Sequence, residues 1–403
     1  MDRETLVMRN RAMAEAFHAI PYQHQVRRNL LRGLAKFPFA PIPLPRSAGA
    51  RILLIRPDHL GDVLLTTPAI HALKAARPDI ELHALVGPWS AQVLANYPEL
   101  DQVLTIPFPG FTRSASKSDL RSPYQMALTA SRMLRRIGYT SAIILRPDHW
   151  WGAMLAHLAG IPHIIGYDLP DVTPFLTDPL EFQFQHVVRQ NLKLVEYWTG
   201  TILQRNIVYR FPTEERDHHY IEGYLSEWGL EAGQPYFCIH PGSGTKVKQW
   251  DTEKWAQVAD TLADQLNAAV ILTGSDAEMP LAQQIAGAMQ RPAIITAGDT
   301  QVGQLGALFA GAKVVLGPDS GPLHLAAAAG APTVTLYGPA NPLEFGSWGN
   351  PNKHIMLMSD IGCRPCGILD WSGDDPENHP CVREITVGRV LEAARRAASF
   401  DED

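Results

Sequence analysis

Residues 312–330 read Ala312-Lys-Val-Val-Leu-Gly-Pro-Asp-Ser-Gly-Pro-Leu-His-Leu-Ala-Ala-Ala-Ala-Gly330, and this stretch decides the predicted fold. A short strand is predicted to end at Leu316, with Gly317-Pro318 in the loop, and Pro322 suits the first turn of the alanine-rich helix that follows. The free N–H groups and positive dipole end of such a helix attract an anion, most often a phosphate. Asp319, Ser320 and His324 are therefore predicted to line a ligand site. The alternative is that Asp319 or Ser320 only caps the helix and that His324 is a packed polar residue.

The composition is that of a globular protein, with 403 residues, 46% of them hydrophobic and 19% charged. Because single cores rarely grow past about 250–300 residues, we expect two lobes. No apolar run approaches the roughly 20 residues that span a bilayer, and neither the first residues nor the four cysteines indicate a secreted protein. We therefore expect a cytoplasmic location. The net charge of −6 argues against a general nucleic-acid-binding protein.

Residues 1–49 are predicted to form a basic helical extension and a proline-rich linker. Residues 1–50 contain eight Arg and Lys against three Asp and Glu. Residues 2–36 predict one or two helices, and the prolines at positions 38, 41, 43 and 45 favour an extended linker. Because a basic amphipathic segment can lie on an anionic membrane, residues 1–37 are a candidate for peripheral membrane contact. The alternative is that these helices pack on the body of the protein.

The first lobe is predicted over residues 50–195. It begins with the buried strand Arg51-Ile-Leu-Leu-Ile55, which runs into Arg56-Pro-Asp-His-Leu-Gly-Asp62 and a helix. A further strand, Glu81-Leu-His-Ala-Leu-Val86, is predicted after this helix. A later strand, Ser141-Ala-Ile-Ile-Leu145, runs into Arg146-Pro-Asp-His149, which repeats residues 56–59. Because both copies follow an apolar strand, we expect them on neighbouring loops at one edge of a sheet, with chance repetition as the alternative. Residues 108–125 are predicted to be a mobile loop.

A helical connector is predicted over residues 196–230 and a second lobe over residues 231–385. Five predicted strands of this lobe each end in a glycine-containing turn, at residues 235–240, 269–273, 293–296, 313–316 and 333–337. Alternation of such strands with helices predicts a doubly wound parallel α/β fold, whose ligands bind outside the carboxyl ends of the strands. Residues 386–403 are predicted to form a helix that packs back on the body.

The turn Pro241-Gly-Ser-Gly-Thr-Lys246 allows a phosphate to approach the backbone at Gly242, Ser243 and Gly244, with Lys246 or Lys248 as a cation. The chain has no Walker A or G-x-G-x-x-G spacing at its strand ends, which disfavours nucleotide hydrolysis and hydride transfer. Glu278 follows a strand end and is a candidate ligand for ribose hydroxyls. The alternative is that it only complements a helix dipole.

Asp62 follows a glycine and precedes a helix in the first lobe, so it is either a helix cap or a general base. Opposite a diphosphate-binding wall, such a base would remove the proton from an attacking hydroxyl. The chemistry would then be displacement at a carbon whose leaving group is the diphosphate.

Four motifs occur in order along the chain: Ile55-Arg-Pro-Asp-His-Leu-Gly-Asp-Val-Leu-Leu-Thr-Thr-Pro-Ala-Ile-His-Ala-Leu-Lys74, His240-Pro-Gly-Ser-Gly, Lys248-Gln-Trp250 and Gly317-Pro-Asp-Ser-Gly-Pro-Leu-His324. Together they resemble glycosyltransferase family 9, the ADP-heptose:lipopolysaccharide heptosyltransferases, over about residues 50–395. The resemblance implies a GT-B architecture, with two Rossmann-like doubly wound lobes and a cleft between them. It also implies inverting, metal-independent transfer, with the acceptor bound mainly by the first lobe and the sugar nucleotide by the second.

Carried over to this sequence, the resemblance makes Asp62 the catalytic base and Lys248 a ligand of the diphosphate. The predicted donor-binding residues are Gly242, Ser243, Gly244, Lys248, Glu278, Thr300, Asp319, Ser320, Gly321 and His324. The acceptor-side candidates are Arg56, Asp58, His59, Gly61, Arg146, Asp148 and His149. The default donor is ADP-heptose, and the default acceptor is a cell-envelope glycan or lipid-linked glycan such as the lipopolysaccharide core. Because Arg56-Pro57 departs from the residues that the family often has there, the acceptor stays open.

No cofactor is expected. Cys363, Cys366, His379 and Cys381 offer four candidate zinc ligands, but we expect a packed thiol cluster there. Two other functions stay open: a nucleotide-sugar epimerase or hydrolase on the same fold, and a non-catalytic nucleotide-sugar-binding module. The presence of both Asp62 and Lys248 favours catalysis.

Overall fold

A computed structural model describes residues 2–19, 22–36, 49–111, 122–369, 371 and 374–400. The linker predicted at the prolines of residues 38–45 and most of the loop predicted at residues 108–125 lie outside this part of the chain. The chain forms two compact units. The N-terminal unit comprises Ile20–Val208, and the C-terminal unit combines Met1–Ala19 with Tyr209–Asp403.

Each unit contains one six-stranded sheet. The strands of the N-terminal unit are β1 Arg51–Arg56, β2 Glu81–Val86, β3 Gln102–Thr105, β4 Ser141–Ile144, β5 His163–Tyr167 and β6 Asp178–Leu180. Those of the C-terminal unit are β7 Tyr236–Ile239, β8 Ala269–Leu272, β9 Ala293–Ile295, β10 Val315–Pro318, β11 Thr333–Tyr337 and β12 His354–Met358. Neighbouring strands are parallel throughout both sheets. The predicted α/β class with two parallel sheets is confirmed.

Both sheets have the strand order of a Rossmann fold. The order is β3-β2-β1-β4-β5-β6 in one sheet and, read from β9, β9-β8-β7-β10-β11-β12 in the other. The direction of connection reverses between β1 and β4 and between β7 and β10. Open α/β sheets bind their ligands outside the carboxyl ends of the strands at such reversals. Most of the predicted site residues lie at or just after the carboxyl ends of β1, β4, β7 and β10.

Helices connect the strands in both units. Those of the N-terminal unit are α2 Tyr22–Ala35, α3 Leu60–Leu64, α4 Thr67–Ala76, α5 Ala91–Leu94, α6 Ser122–Ile137, α7 Trp150–Leu158 and α8 Val187–Thr199. Those of the C-terminal unit are α1 Arg3–His18, α9 Glu215–Glu227, α10 Thr252–Leu266, α11 Met279–Ala288, α12 Val302–Ala310, α13 Gly321–Ala328, α14 Pro342–Phe345 and α15 Val387–Ala398. Among the residues described, no helix combines the length and the apolar character needed to span a membrane.

The central strands are apolar because they are covered on both faces. β1 is buried from its second residue to its last, and β11 is buried throughout. Parallel strands covered by helices on both sides therefore appear as continuous apolar runs in the sequence. The helix predicted at the end of the chain is α15, which buries Val390, Ala393, Ala394 and Ala397 in the core of the C-terminal unit.

Some predicted boundaries are wrong. β10 continues through Gly317 and Pro318, expected in the loop, because Pro318 is still paired with Leu336 of β11. Residues 122–125, expected in a loop, form the first turn of α6. Four strands escape prediction, namely β3, β5, β6 and β12. Of these, β3, β6 and β12 are at sheet edges, where strands are short or interrupted, as β6 is by Pro179.

The first helix, α1, packs on the C-terminal unit. Arg3 forms an ion pair with Asp360 at 2.6 Å, and Nε of Arg11 donates a hydrogen bond to the carbonyl of Gly362 at 2.9 Å. Val7 packs on the hydrophobic core of that unit. The arginines of α1 that we considered for membrane contact thus bind groups of the same chain.

The second helix, α2, packs on the N-terminal unit. Arg28 pairs with Asp171 at 2.6 Å and Arg27 pairs with the same carboxylate at 3.1 Å. Leu31 is only 3% exposed in the core of this unit, whereas the neighbouring Leu30 is 71% exposed. The segment predicted as one extension, residues 1–49, is therefore divided between the two units.

The packing of α2 leads to a test on two adjacent leucines. Leu31→Ala should destabilise the N-terminal unit by about 2–5 kcal/mol, because it removes a buried side chain and leaves a cavity. Leu30→Ala should change the stability by less than about 0.5 kcal/mol, because that side chain faces solvent. Scanning calorimetry measures both. Equal losses for the two variants would show that α2 is not anchored through Leu31.

Candidate active site

An ion pair joins the loops after β7 and β10 in the C-terminal unit. Nζ of Lys248 lies 2.6 Å from Oδ2 of Asp319 and donates a second hydrogen bond to the carbonyl of Asp319 at 3.3 Å. Both side chains are largely buried, at 14% and 7% exposed. Because β7 and β10 are neighbours in the sheet, this contact holds the two predicted donor-binding loops together.

The residue before α13, Ser320, has a hydroxyl group that makes no hydrogen bond to the described residues. Ser320 is the N-cap residue, but its side chain makes no capping hydrogen bond. Its Oγ is buried and has no hydrogen-bond partner among the residues that the structure describes. The capping alternative therefore does not account for Ser320. The helix begins at Gly321 with Pro322 in its first turn, as predicted.

His324 lies one turn into the same helix and close to the ion pair. Its Nε2 is 4.0 Å from Oδ1 of Asp319, and the imidazole is 7% exposed. The hydroxyl of Tyr209 donates to the backbone carbonyl of His324 at 3.0 Å. The structure thus brings Lys248, Asp319, Ser320 and His324 together around the carboxyl ends of β7 and β10.

The glycine-rich turn after β7 lies against Glu278. A Cβ atom at Gly242 would lie 1.9 Å from Oε1 of Glu278, so a side chain there would displace the Glu278 carboxylate. Oε2 of Glu278 accepts hydrogen bonds from the N–H and the hydroxyl of Ser275, each at 2.8 Å, which completes a capping box. Glu278 therefore takes part in capping the helix, and its Oε1 remains directed at the glycine-rich turn.

The structure gives less support to the remaining predicted donor-binding residues. Ser243 uses its hydroxyl to donate to the carbonyl of Thr245 at 2.6 Å, and Gly244 is exposed. Thr300 follows β9, which is separated from β7 by β8. At about 4.8 Å per strand, β9 itself lies roughly 10 Å from β7 in the sheet.

The N-terminal unit holds a buried charge network at the end of β1. Nε of Arg56 lies 2.6 Å from Oδ2 of Asp58, and its Nη1 donates to the carbonyl of Leu145 at 2.8 Å. Nη2 of Arg56 is also 3.5 Å from Oδ1 of Asp62, whose side chain is 35% exposed. Arg56 thus connects a buried carboxylate with the accessible carboxylate that was predicted as the base.

The second Arg-Pro-Asp-His copy completes this network. β4 pairs directly with β1, and Nη1 of Arg146 forms an ion pair with Oδ1 of Asp58. The prediction that both copies lie on neighbouring loops is confirmed. Burial by itself would raise the pKa of Asp58, but the guanidinium groups of Arg56 and Arg146 hold it below its usual value. Asp58 is therefore ionised between two cations.

The two histidines of the repeated motif have different surroundings. His149 is 5% exposed, and its ring lies 5.2 Å from Phe108 and 5.9 Å from Phe111, centroid to centroid. Burial lowers its pKa to about 3, so the imidazole is neutral. His59 is half-buried beside Trp89, at 5.5 Å between ring centroids. An acceptor-side role thus has less support for His149 than for His59.

The other acceptor-side candidates are Gly61 and Asp148. Gly61 is buried in the first turn of α3. Asp148 is 64% exposed and accepts from Nε of Arg146 at 2.6 Å. Arg146 itself stacks on Phe111, with its guanidinium carbon 5.2 Å from the ring centroid. Arg146 and Asp148 therefore form the polar, accessible part of this loop.

Three cysteines of the C-terminal unit lie close together. Cys363, Cys366 and Cys381 line one cavity of the C-terminal unit together with His379. Burial raises the pKa of the Cys381 thiol to about 12 and also raises that of Cys366. His379 is bound to Asp374 at 2.9 Å. Within the described ranges, no group of three or more His, Cys, Asp or Glu has the arrangement of a metal site.

Several residues that support the site gave no signal in the sequence. Trp89 and Ser90 donate to the carbonyl of Asp58 at 3.0 and 2.7 Å, and Tyr209 supports α13 as described. They are single residues on segments distant in sequence, and only the fold brings them to the site. An alignment of related sequences would be needed to find them.

Two parallel sheets in Rossmann order, each with charged residues where its connections reverse, match the GT-B architecture. The family model of glycosyltransferase family 9 (heptosyltransferase) matches residues 128–368, which is more than half of the chain. The chain belongs to glycosyltransferase family 9 and is a glycosyltransferase.

Individual proteins agree with this assignment. Lipopolysaccharide heptosyltransferase 1 of Pseudomonas aeruginosa is 24% identical over 326 residues, which cover 78% of this chain and 86% of the relative. The crystal structure of the glycosyltransferase family 9 protein from Veillonella parvula aligns with a TM-score of 0.72 and 23% identity, over 87% of this chain and 97% of that one. The ADP-heptose lipopolysaccharide heptosyltransferase II of Escherichia coli aligns with a TM-score of 0.69 and 23% identity, over 86% and 98%.

The close packing of His149 predicts a steric effect in α7. A Cβ atom at Gly152 would lie 2.4 Å from Nδ1 of His149, so Gly152→Ala should destabilise the N-terminal unit by about 1–3 kcal/mol. Gly223→Ala in α9 is the matched control, because nothing lies within 4 Å of its Cβ position. Alanine there should stabilise the helix by up to about 1 kcal/mol. Calorimetry that found Gly152→Ala as stable as the wild type would contradict the placement of His149.

Proposed function

We propose that this protein is an inverting, metal-independent glycosyltransferase that works in the cytoplasm. It would transfer a sugar, by default a heptose, from a nucleotide diphosphate such as ADP-heptose to a cell-envelope or lipid-linked glycan such as the lipopolysaccharide core. The similar proteins from P. aeruginosa and E. coli, which are named as lipopolysaccharide and ADP-heptose heptosyltransferases, support this donor and acceptor. The observation that carries the proposal is the accessible carboxylate of Asp62, held at the end of β1 by the buried guanidinium of Arg56.

The C-terminal unit would bind the donor. Lys248 supplies a positive charge at the carboxyl end of β7, and Asp319 holds its ammonium group in place at 2.6 Å. The N–H groups at the start of α13 and the turn at Gly242 offer further donors to phosphate oxygens. The free hydroxyl of Ser320 is a candidate for one more hydrogen bond. A fixed cation with oriented amides stabilises a departing diphosphate without a metal ion, because these groups need no reorganisation during the reaction.

The N-terminal unit would supply the base. Asp62 accepts the proton of the acceptor hydroxyl, and the hydroxyl oxygen forms a bond to the anomeric carbon of the donor sugar. As that bond forms, the bond between this carbon and the diphosphate oxygen breaks, and the electron pair leaves with the diphosphate. Attack from the face opposite the leaving group inverts the configuration at the carbon.

Arg56 would act on this step as a positioning residue. Its guanidinium is fixed by Asp58 and by the carbonyl of Leu145, so it can hold the Asp62 carboxylate in one orientation. Arg146 and Asp148 lie next to it and are candidates for contacts with hydroxyl or phosphate groups of the acceptor. Membrane contact through residues 1–37 has less support, because Arg3, Arg11 and Arg28 of that segment bind groups of the same chain.

The proposal predicts a specific loss in an Asp62 variant. Asp62→Asn should lower kcat by about 10²–10⁴-fold, the range typical of a lost general base, and should change donor affinity by no more than about twofold. Asp79→Asn is the matched control, because the Asp79 side chain is 61% exposed and forms a surface ion pair with Arg77. Its activity should equal that of the wild type.

The assay is release of nucleotide diphosphate from a panel of sugar donors, with and without an acceptor extract. Release that requires acceptor and Asp62 supports transfer. Release without acceptor would indicate an epimerase or hydrolase instead, and donor binding with no release would indicate a binding module. Full transfer by Asp62→Asn would refute the assignment of the base.

A further inference from the structure

The outward face of α6 has an unusual mixture of side chains. The exposed residues of this helix are Tyr124, Gln125, Leu128, Thr129, Arg132, Met133 and Arg136. Residues 122–137 contain three arginines and no aspartate or glutamate, although the whole chain has a net charge of −6. The face therefore carries positive charge against the overall sign of the protein.

Three large apolar side chains lie on the same face. Tyr124, Leu128 and Met133 are 42%, 46% and 38% exposed. They are not needed to hold the helix in place, because α6 buries a separate set of residues, namely Ala127, Ala130, Ser131 and Leu134, against the core. Their exposure costs hydrophobic free energy unless another surface covers them.

The arrangement of these residues follows the helix period. Tyr124, Leu128, Arg132 and Arg136 recur at intervals of four, which places them in one row on the helix surface. The row is apolar at the start of the helix and basic towards its end. Arg132 and Arg136 are both exposed, and no ion pair or side-chain hydrogen bond joins either of them to another described residue. Both guanidinium groups face solvent.

The apolar end of the row lies beside the candidate acceptor residues. Nε1 of Trp151, at the start of α7, donates to the carbonyl of Pro123 at 3.1 Å. α7 begins immediately after the loop that contains Arg146 and Asp148. The start of α6 is therefore at the same edge of the sheet as that loop.

We propose that the exposed face of α6 binds an anionic lipid membrane. Arginines without acidic neighbours match negatively charged headgroups, and the flanking tyrosine, leucine and methionine can enter the interface between headgroups and acyl chains. A soluble acidic partner would explain the arginines but not the apolar side chains among them. Binding in this orientation places the acceptor-side loop of the N-terminal unit near the lipid surface. The inference is independent of turnover, so it can fail or hold separately from the proposed function.

The test is co-sedimentation of the full chain with vesicles of phosphatidylcholine alone or with one quarter phosphatidylglycerol. The wild type should prefer the anionic vesicles, and Arg132→Glu with Arg136→Glu should reduce that binding at least about tenfold at low salt. Arg395→Glu with Arg396→Glu is the matched control, because these arginines are also exposed in the last turn of a helix, α15. It should change binding by less than about twofold.

A second variant separates the apolar contribution from the charge. Tyr124→Ser with Leu128→Ser keeps both arginines and should weaken binding to the same vesicles severalfold, with the salt dependence retained. Arg32→Glu on α2 tests the N-terminal helices instead. The proposal is overturned if the wild type shows no preference for anionic vesicles, if the α15 variant loses as much binding as the α6 variant, or if Arg32→Glu alone abolishes it. Thermal unfolding of each variant establishes that it is folded.

Discussion

In both units, the strand order places the carboxyl ends of two strands that are distant in sequence side by side, and the charged contacts of the site follow from this constraint. β1 and β4 are separated by some 85 residues, yet their pairing brings Arg146 to Asp58. β7 and β10 are similarly separated, and their pairing brings Lys248 to Asp319. Parallel strands require a crossover, so neighbours in such a sheet can never be joined by a short turn. In each unit, the charged groups are for this reason assembled from loops that are far apart in the sequence.

The buried charges around Asp58 stabilise a conformation more than they stabilise the fold. Removing the Arg56 guanidinium and the Asp58 carboxylate from water is costly, and their mutual attraction largely offsets that cost. Loss of one partner would leave an uncompensated buried charge, which is typically worth several kcal/mol. The network therefore permits only one arrangement of Arg56, and Arg56 in turn limits where the Asp62 carboxylate can lie. A general base needs this kind of fixed geometry, because a misplaced carboxylate cannot reach the proton it must remove.

The sequence predicts elements and strand ends well where the core dictates them. β2 and β11 have the bounds that their apolar runs predict, and the repeated Arg-Pro-Asp-His motif correctly indicates two neighbouring loops. Strand order, by contrast, is a property of the whole sheet. The Lys248–Asp319 contact and the separation of β9, which precedes Thr300, from β7 could therefore not be predicted from the sequence. The same holds for His149, whose place among aromatic rings depends on Phe108 and Phe111 from another loop. Edge strands such as β3 and β6 were missed because they are short and half-exposed.

The binding surface of the N-terminal helices α1 and α2 could not be predicted from the sequence either. Their basic composition fits a membrane surface and a protein surface equally well, and composition does not decide between them. The acidic groups that bind these arginines lie in segments 357 and 143 residues away in the chain, at Asp360 and Asp171. The exposed face of α6 has the composition expected of a membrane-binding helix, but its exposure can be recognised only in the folded unit.

The central claim is that Lys248, held by Asp319, binds the diphosphate of the donor. Isothermal titration calorimetry with ADP on the wild type, Lys248→Ala, Asp319→Asn and the double variant tests it most directly, with the exposed Lys246→Ala as control. Loss of a charge-assisted contact, about 1.5–3 kcal/mol, should weaken ADP binding by roughly tenfold to a hundredfold in Lys248→Ala and by about twofold or less in Lys246→Ala. Because the two side chains act as a pair, the double variant should bind ADP more tightly than the sum of the two single losses predicts. Unchanged ADP affinity in Lys248→Ala, or an equal loss in Lys246→Ala, would contradict the account.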